Sequence, residues 1–231
     1  VYPISINVEE VQRIANTPRA LDYETKLAED TGEVTIVRID RAEPNKNIVR
    51  GFRAYELLLT RYPELKGKVK FLAFLVPSRT HIRQYQRYMD EIQQVIQQIN
   101  NNHGTDDWQP IVPFIENNYT QAIAGMKLYD VLLVNTIIEG MNLVAKEGPV
   151  VNNRDGVLVL SHSSGVYKQL ADGALSVSPT DIEGTMEALH QAITMSAKDR
   201  KDRAALMLES VCREDINHWL YQQMYDISNI S

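Results

Sequence analysis

Cysteine is almost missing from this 231-residue chain: Cys212 stands alone, so no internal disulfide can form, and a reducing cytoplasm is the expected setting. Also missing is any apolar run long enough to span a bilayer, and the opening residues carry no secretory pattern, so no membrane partner is expected. Positive charge is not in excess. Lys and Arg number 24 against 30 Asp and Glu, a formal net charge of −6 that argues against general binding to nucleic acid or anionic lipid. A phosphate site, if present, must therefore be a local cluster of cations. No Cys/His group has metal-ligand spacing, so no metal is expected. Repeats, low-complexity tracts and internal linkers are absent as well, which favours one domain over residues 1–231. What is there is ordinary for a globular protein with a sizeable core: 44% hydrophobic and 23% charged residues.

Strand-like and helix-like stretches alternate along the chain. Short helices are expected from Asn7 to Asn16, capped by Asn7, and from Ala20 to Ala28. Apolar runs predict strands at Val34 to Ile39, Val69 to Val76, Ile111 to Ile115, Val131 to Val134 and Val157 to Leu160, with a weak sixth at Ala174 to Val177. Between them, Ile82, Tyr85, Met89, Ile92, Ile96 and Ile99 repeat at helical spacing on one long helix, which Asn100 to Gly104 stop. Further helices are predicted near Tyr119 to Leu128 and Leu143 to Val151, and everything after Asp181 reads as helix. Successive strand–helix units imply an α/β fold: a doubly wound parallel sheet, Rossmann-like, with right-handed crossovers and C-terminal helices.

Chemistry-bearing residues gather at the turns that leave the strands. Ile138-Glu139-Gly140-Met141-Asn142-Leu143-Val144-Ala145-Lys146-Glu147 follows the buried run Val131 to Val134. A strand that ends in a Gly-containing turn and restarts as a helix offers unpaired backbone N–H groups to an anion. Glu147, an acceptor-only carboxylate a turn further on, suits the paired hydroxyls of a ribose. Arg41 and Lys46, after the first strand, can supply positive charge to a diphosphate. Pro77-Ser78-Arg79 and Ser161-His162-Ser163-Ser164-Gly165 end two more strands on the same edge. Taken singly, each turn has a plain alternative: a solvated face for Arg41 and Lys46, a capping network for Glu139 to Glu147, a helix-start arginine for Arg79, a polar loop for His162. Cys212, Trp108 and Trp219 read as packing residues. Four such turns on one edge favour a shared cleft for a nucleoside diphosphate, one that carries a sugar.

Those residues carry a resemblance. Asp40-Arg41-x-Glu43-x-x-Lys46, Pro77-Ser78-Arg79, Gly140-Met141-Asn142-Leu143-Val144-Ala145-Lys146-Glu147, Gly156-Val157-Leu158-Val159-Leu160-Ser161 and Asp215-Ile216-Asn217-His218-Trp219 occur in the order seen in the trehalose-phosphate synthase family. The chain resembles the C-terminal, nucleotide-sugar lobe of these retaining glycosyltransferases, which have the two-lobed GT-B form. The resemblance implies a metal-independent reaction with no cofactor, in which UDP- or GDP-glucose donates glucose to glucose 6-phosphate, giving trehalose 6-phosphate. It implies catalytic roles for Arg41 and Lys46 at the diphosphate and a ribose contact for Glu147. The backbone of Leu143 and Val144 would lie near the phosphates, with Glu139, Gly140, Met141 and Asn142 around the glucose. Met126 and Lys127 would pack around the base, and Arg79 would meet the acceptor phosphate.

Four positions depart from the family pattern: Glu139 stands for Asp, Glu43 for Asp, Asn47 for Gly, and His162 for Glu or Gln. They leave open a cyclitol-coupling pseudo-glycosyltransferase or a glucosylglycerol-phosphate synthase; a non-catalytic nucleotide-binding module is the third reading. Val1 falls about where the family's second lobe begins, so the partners implied are the two substrates and a missing N-terminal lobe, with a homo-oligomer left open.

Overall fold

The computed structural model describes residues 2–229; Val1 lies outside them. Its centre is a six-stranded, wholly parallel sheet of order β3-β2-β1-β4-β5-β6. The strands are β1 (Val34–Arg41), β2 (Val69–Val76), β3 (Ile111–Phe114), β4 (Val131–Val134), β5 (Val157–Ser161) and β6 (Leu175–Val177). Among the described residues ten α-helices accompany them: α1 (Val8–Ala15), α2 (Pro18–Ala28), α3 (Ile48–Arg61), α4 (Arg83–His103), α5 (Tyr119–Lys127), α6 (Val144–Val151), α7 (Tyr167–Leu170), α8 (Ile182–Thr194), α9 (Ala197–Arg213) and α10 (Ile216–Ser228).

Alternate residues of each strand enter opposite cores, as the pleat requires. In β1 and β2, Ile36, Phe71, Ala73 and Leu75 pack with Phe52, Tyr55 and Leu58 of α3 and with Met186 and Leu189 of α8. Val37, Leu72 and Phe74 turn the other way, toward Ile123 and Met126 of α5, Ala145 of α6 and Val211 of α9. Burial on both faces is why these strands read as mostly apolar runs rather than alternating ones.

Some expectations needed adjustment. The predicted stripe of α4 is buried only from Ile92 onward, with Val95, Ile96 and Ile99; Ile82 precedes the helix and is exposed. Cys212 is exposed, because the buried stripe of α9 passes through Met207, Ser210 and Val211 and leaves Cys212 beside it. The single-turn α7 is too short to show a period in sequence. No helix among the described residues is long and apolar enough to cross a membrane.

The strand order reverses between β1 and β4: the chain winds outward from β1 to β3 on one side and from β4 to β6 on the other. The connections leaving these two strands therefore diverge, and a crevice opens between them at the carboxyl ends.

Candidate functional site

The first wall of that crevice is the β1–α3 connection, and a buried arginine shapes it. Arg38, inside β1, is fully buried. Its Nη2 donates to Asp40 Oδ2 at 2.7 Å and to the Lys46 carbonyl at 3.0 Å, and its Nη1 to the Ile48 carbonyl at 3.2 Å. One planar guanidinium thus fixes both ends of the turn that presents Lys46. Burial pushes the Asp40 carboxyl up, while the positive charges of Arg38 and Lys46 oppose that shift. Asn47 closes the turn with a left-handed backbone, φ 58°. That conformation suits glycine or asparagine, so the substitution for the family's Gly keeps the turn. Its amide also donates to the carbonyls of Asn135 (2.9 Å) and Pro179 (2.6 Å), stitching the turn to the neighbouring connections.

The second wall is the β4–α6 connection, joined to the first where Ile137 N–H donates to the Asn45 carbonyl at 2.8 Å. Lys46 Nζ forms an ion pair with Glu139 Oε1 and lies 3.8 Å from Asp40 Oδ1. Asn142 donates from Nδ2 to Glu139 Oε2 at 3.0 Å, while its Oδ1 accepts from Ala145 N–H at 2.9 Å and caps the helix start. The N–H groups of Leu143 and Val144 meet no acceptor among the described residues, so the first turn of α6 has donors to spare. Gly140 is exposed, and a Cβ there would meet nothing within 4 Å, so open space lies above it. Behind it, Gly165 donates its N–H to the Glu139 carbonyl at 2.9 Å, and a Cβ on Gly165 would fall 1.9 Å from the Gly140 oxygen. That close approach sets the height of the Glu139–Gly140 backbone. Met141 is half-buried on the same arm.

Further out, Arg41 is exposed and pairs with Glu43 at 3.2 Å; Glu43 also accepts from Ser78 Oγ at 2.8 Å, which ties the β1 and β2 ends together. Arg79 has φ 46° and donates from Nη1 to Tyr85 Oη at 2.7 Å, its guanidinium lying over that ring. Glu147 is almost buried, and Oε1 accepts from Tyr119 Oη at 2.9 Å. Burial raises its carboxyl above the usual range, and the tyrosine bond opposes this. His162 is an exposed loop residue.

Arg41, Lys46, Arg79, Glu139 to Val144 and Glu147 therefore stand on the carboxyl edge of the sheet. Met126 and Lys127 do not. They close the far end of α5, about 12 Å of helix from Tyr119, where Met126 is core and Lys127 is bound to Glu24 and to the Ala15 carbonyl. The expectation that they surround a base is corrected: a helix entering from one sheet edge delivers its last turn to the other. The charge balance also differs from a plain cation cluster, since Arg38, Arg41 and Lys46 are matched by Asp40, Glu43 and Glu139. Sequence reading passed over Arg38, although a lone charge within an apolar strand was a visible signal. It also passed over Tyr119, which no local pattern marks. A cavity of about 530 Å³ between α8 and α9, near Asp199 and Arg203, includes none of these residues. No group of three or more His, Cys, Asp or Glu able to hold a metal occurs among the described residues.

Comparison with known proteins gives a consistent picture. The sequence model described as glycosyltransferase family 20 matches residues 1–229. A trehalose-6-phosphate synthase of Citrobacter koseri is 33% identical over 236 residues, covering 100% of this chain and 49% of that protein. A bifunctional trehalose-6-phosphate synthase/phosphatase of Thermoproteus tenax is 34% identical over 233 residues, covering 98% of this chain and 31% of its own length. A solved E. coli structure bound with UDP-2-fluoro glucose superposes with a TM-score of 0.90 at 31% identity, over 100% of this chain and 52% of the other. The α,α-trehalose-phosphate synthase of Burkholderia xenovorans, solved in complex with glucose-6-phosphate, gives a TM-score of 0.90 at 29% identity, over 99% and 51%. The chain spans about half the length of most of these relatives, and about a third of the bifunctional one.

Proposed function

Since the chain belongs to glycosyltransferase family 20, we propose that it is the donor-binding half of a retaining glycosyltransferase that moves glucose from UDP- or GDP-glucose to glucose 6-phosphate, giving trehalose 6-phosphate. One observation carries the reading: at the reversal of strand order, the β1–α3 turn that presents Arg41 and Lys46 and the start of α6 with its free N–H groups form opposite walls of one crevice. The names of the relatives, and the ligands bound in two solved neighbours, support the choice of substrates.

In this reading Arg41, Lys46 and the free N–H groups of Leu143 and Val144 cradle the diphosphate. Charge grows on that group as the glycosidic bond breaks, so donors fixed in advance lower the barrier without a metal or other cofactor. Lys46 must exchange Glu139 for phosphate, which releases the Glu139 carboxylate toward the glucose hydroxyls beside Gly140, Met141 and Asn142. Glu147 grips the ribose. Arg79, further along the same edge, meets the acceptor phosphate, and a second lobe supplies the rest of the acceptor site. The 231-residue chain by itself then binds nucleoside diphosphate weakly and does not turn over.

Titration calorimetry of this chain with UDP, GDP and their glucose conjugates tests the reading. Arg41→Ala should weaken binding by about 1.5–3 kcal/mol, the worth of one charge-assisted hydrogen bond. Unchanged affinity would instead favour a module that does not use this edge for phosphate.

A further inference from the structure

Tyr119 has no part in the reading so far, yet among the described residues it makes the single polar contact of the Glu147 side chain. The two residues come from different helices, α5 and α6, at the same edge of the sheet. Asn118 pins the start of α5: its Oδ1 accepts from Gln121 N–H at 3.2 Å, and its Nδ2 donates to Tyr23 Oη at 2.9 Å. Tyr119 is thus presented from an anchored helix end, the residue 45% exposed and its hydroxyl on Glu147 Oε1. The Glu147 carboxylate makes no other hydrogen bond or ion pair among the described residues. One oxygen is tethered, and Oε2 is left to accept from whatever enters.

A carboxylate on a flexible side chain binds a vicinal diol weakly unless its rotamer is fixed beforehand, since ordering it consumes part of the interaction. Tethering one oxygen removes that cost and directs the other. Resting on the nucleoside-diphosphate reading above, we infer that Tyr119 is a positioning residue. It holds Glu147 so that the site selects ribonucleoside over 2′-deoxyribonucleoside diphosphates.

The test compares the 231-residue chain with Tyr119→Phe, titrating each with UDP and GDP and with their 2′-deoxy counterparts. Phenylalanine keeps the ring and removes only the hydroxyl. The wild type should prefer the ribonucleotide, and Tyr119→Phe should lose about five- to tenfold in affinity for it. The same variant should bind the deoxynucleotide as the wild type does. A merely structural role would weaken both ligands together and leave their ratio unchanged; that result overturns the inference while the diphosphate site stands. A wild type that binds both sugars equally well overturns the Glu147 contact and Tyr119 with it. A wild type that binds neither UDP nor GDP removes the proposed function itself.

Discussion

Replacing Glu139 by Gln should tighten the binding of a bare nucleoside diphosphate. Without ligand, Glu139 occupies the ammonium group proposed for phosphate, and its side chain is 13% exposed, so solvent screens the pair poorly. An incoming diphosphate must displace this carboxylate and then tolerate its negative charge nearby. A unit charge about 5 Å from a phosphate oxygen repels it by about 3 kcal/mol at an effective dielectric of 20. Gln is isosteric, keeps an oxygen for Asn142 and carries no charge, so most of that repulsion vanishes. Part of the gain is lost because Lys46 also sits 3.8 Å from Asp40 Oδ1 and stays partly neutralised. A net gain of about 1–2 kcal/mol, or roughly five- to thirtyfold in affinity, is expected for UDP or GDP. The glucose conjugates should gain less, because a neutral amide accepts sugar hydroxyls less strongly than a carboxylate. Calorimetry on wild type and variant gives all four numbers. Equal or weaker binding of the bare diphosphate by Glu139→Gln would refute the competition between Glu139 and phosphate.

Arg38→Met should cost about 3–5 kcal/mol of stability, the effect of leaving one member of a buried pair uncompensated, since Asp40 and the Lys46 and Ile48 carbonyls all lose their donor; urea unfolding measures this, and a loss below 1 kcal/mol would contradict it. Lys146 gives a pH-dependent case. It is buried, with Nζ donating to the Ile4 carbonyl at 3.0 Å and Ser5 Oγ at 3.2 Å, and burial lowers its pKa from 10.5 to about 8. Between those values the unfolded chain holds a proton that the folded chain has released, so stability rises with pH across that window. Thermal unfolding of wild type against Lys146→Met should show that rise in the wild type alone; parallel profiles would place the lysine in water.

Why the sheet was readable while parts of the site were not follows from what each feature depends on. Val131 to Val134 and Val157 to Leu160 are buried on both faces, so their apolar runs mark them whatever surrounds them. The turns after β1 and β4 carry their own signals: Lys46 at the mouth of a helix, and Gly140 and Asn142 ahead of another. Their meeting across the crevice depends on which strands are neighbours, and only the sheet order shows that β1 lies beside β4. Met126 and Lys127 illustrate the converse. They stand close in sequence to β4, but proximity along the chain to the start of a parallel strand means the amino edge, opposite the ligand edge. The neutral pairing of the site was equally hidden, because Lys46 and Glu139 are separated by 93 positions and neither announces the other. A count of cations near a helix start therefore overstates a phosphate site. The relevant quantity is the free energy of exchanging an internal carboxylate for the ligand's phosphate, and here Glu139 sets it.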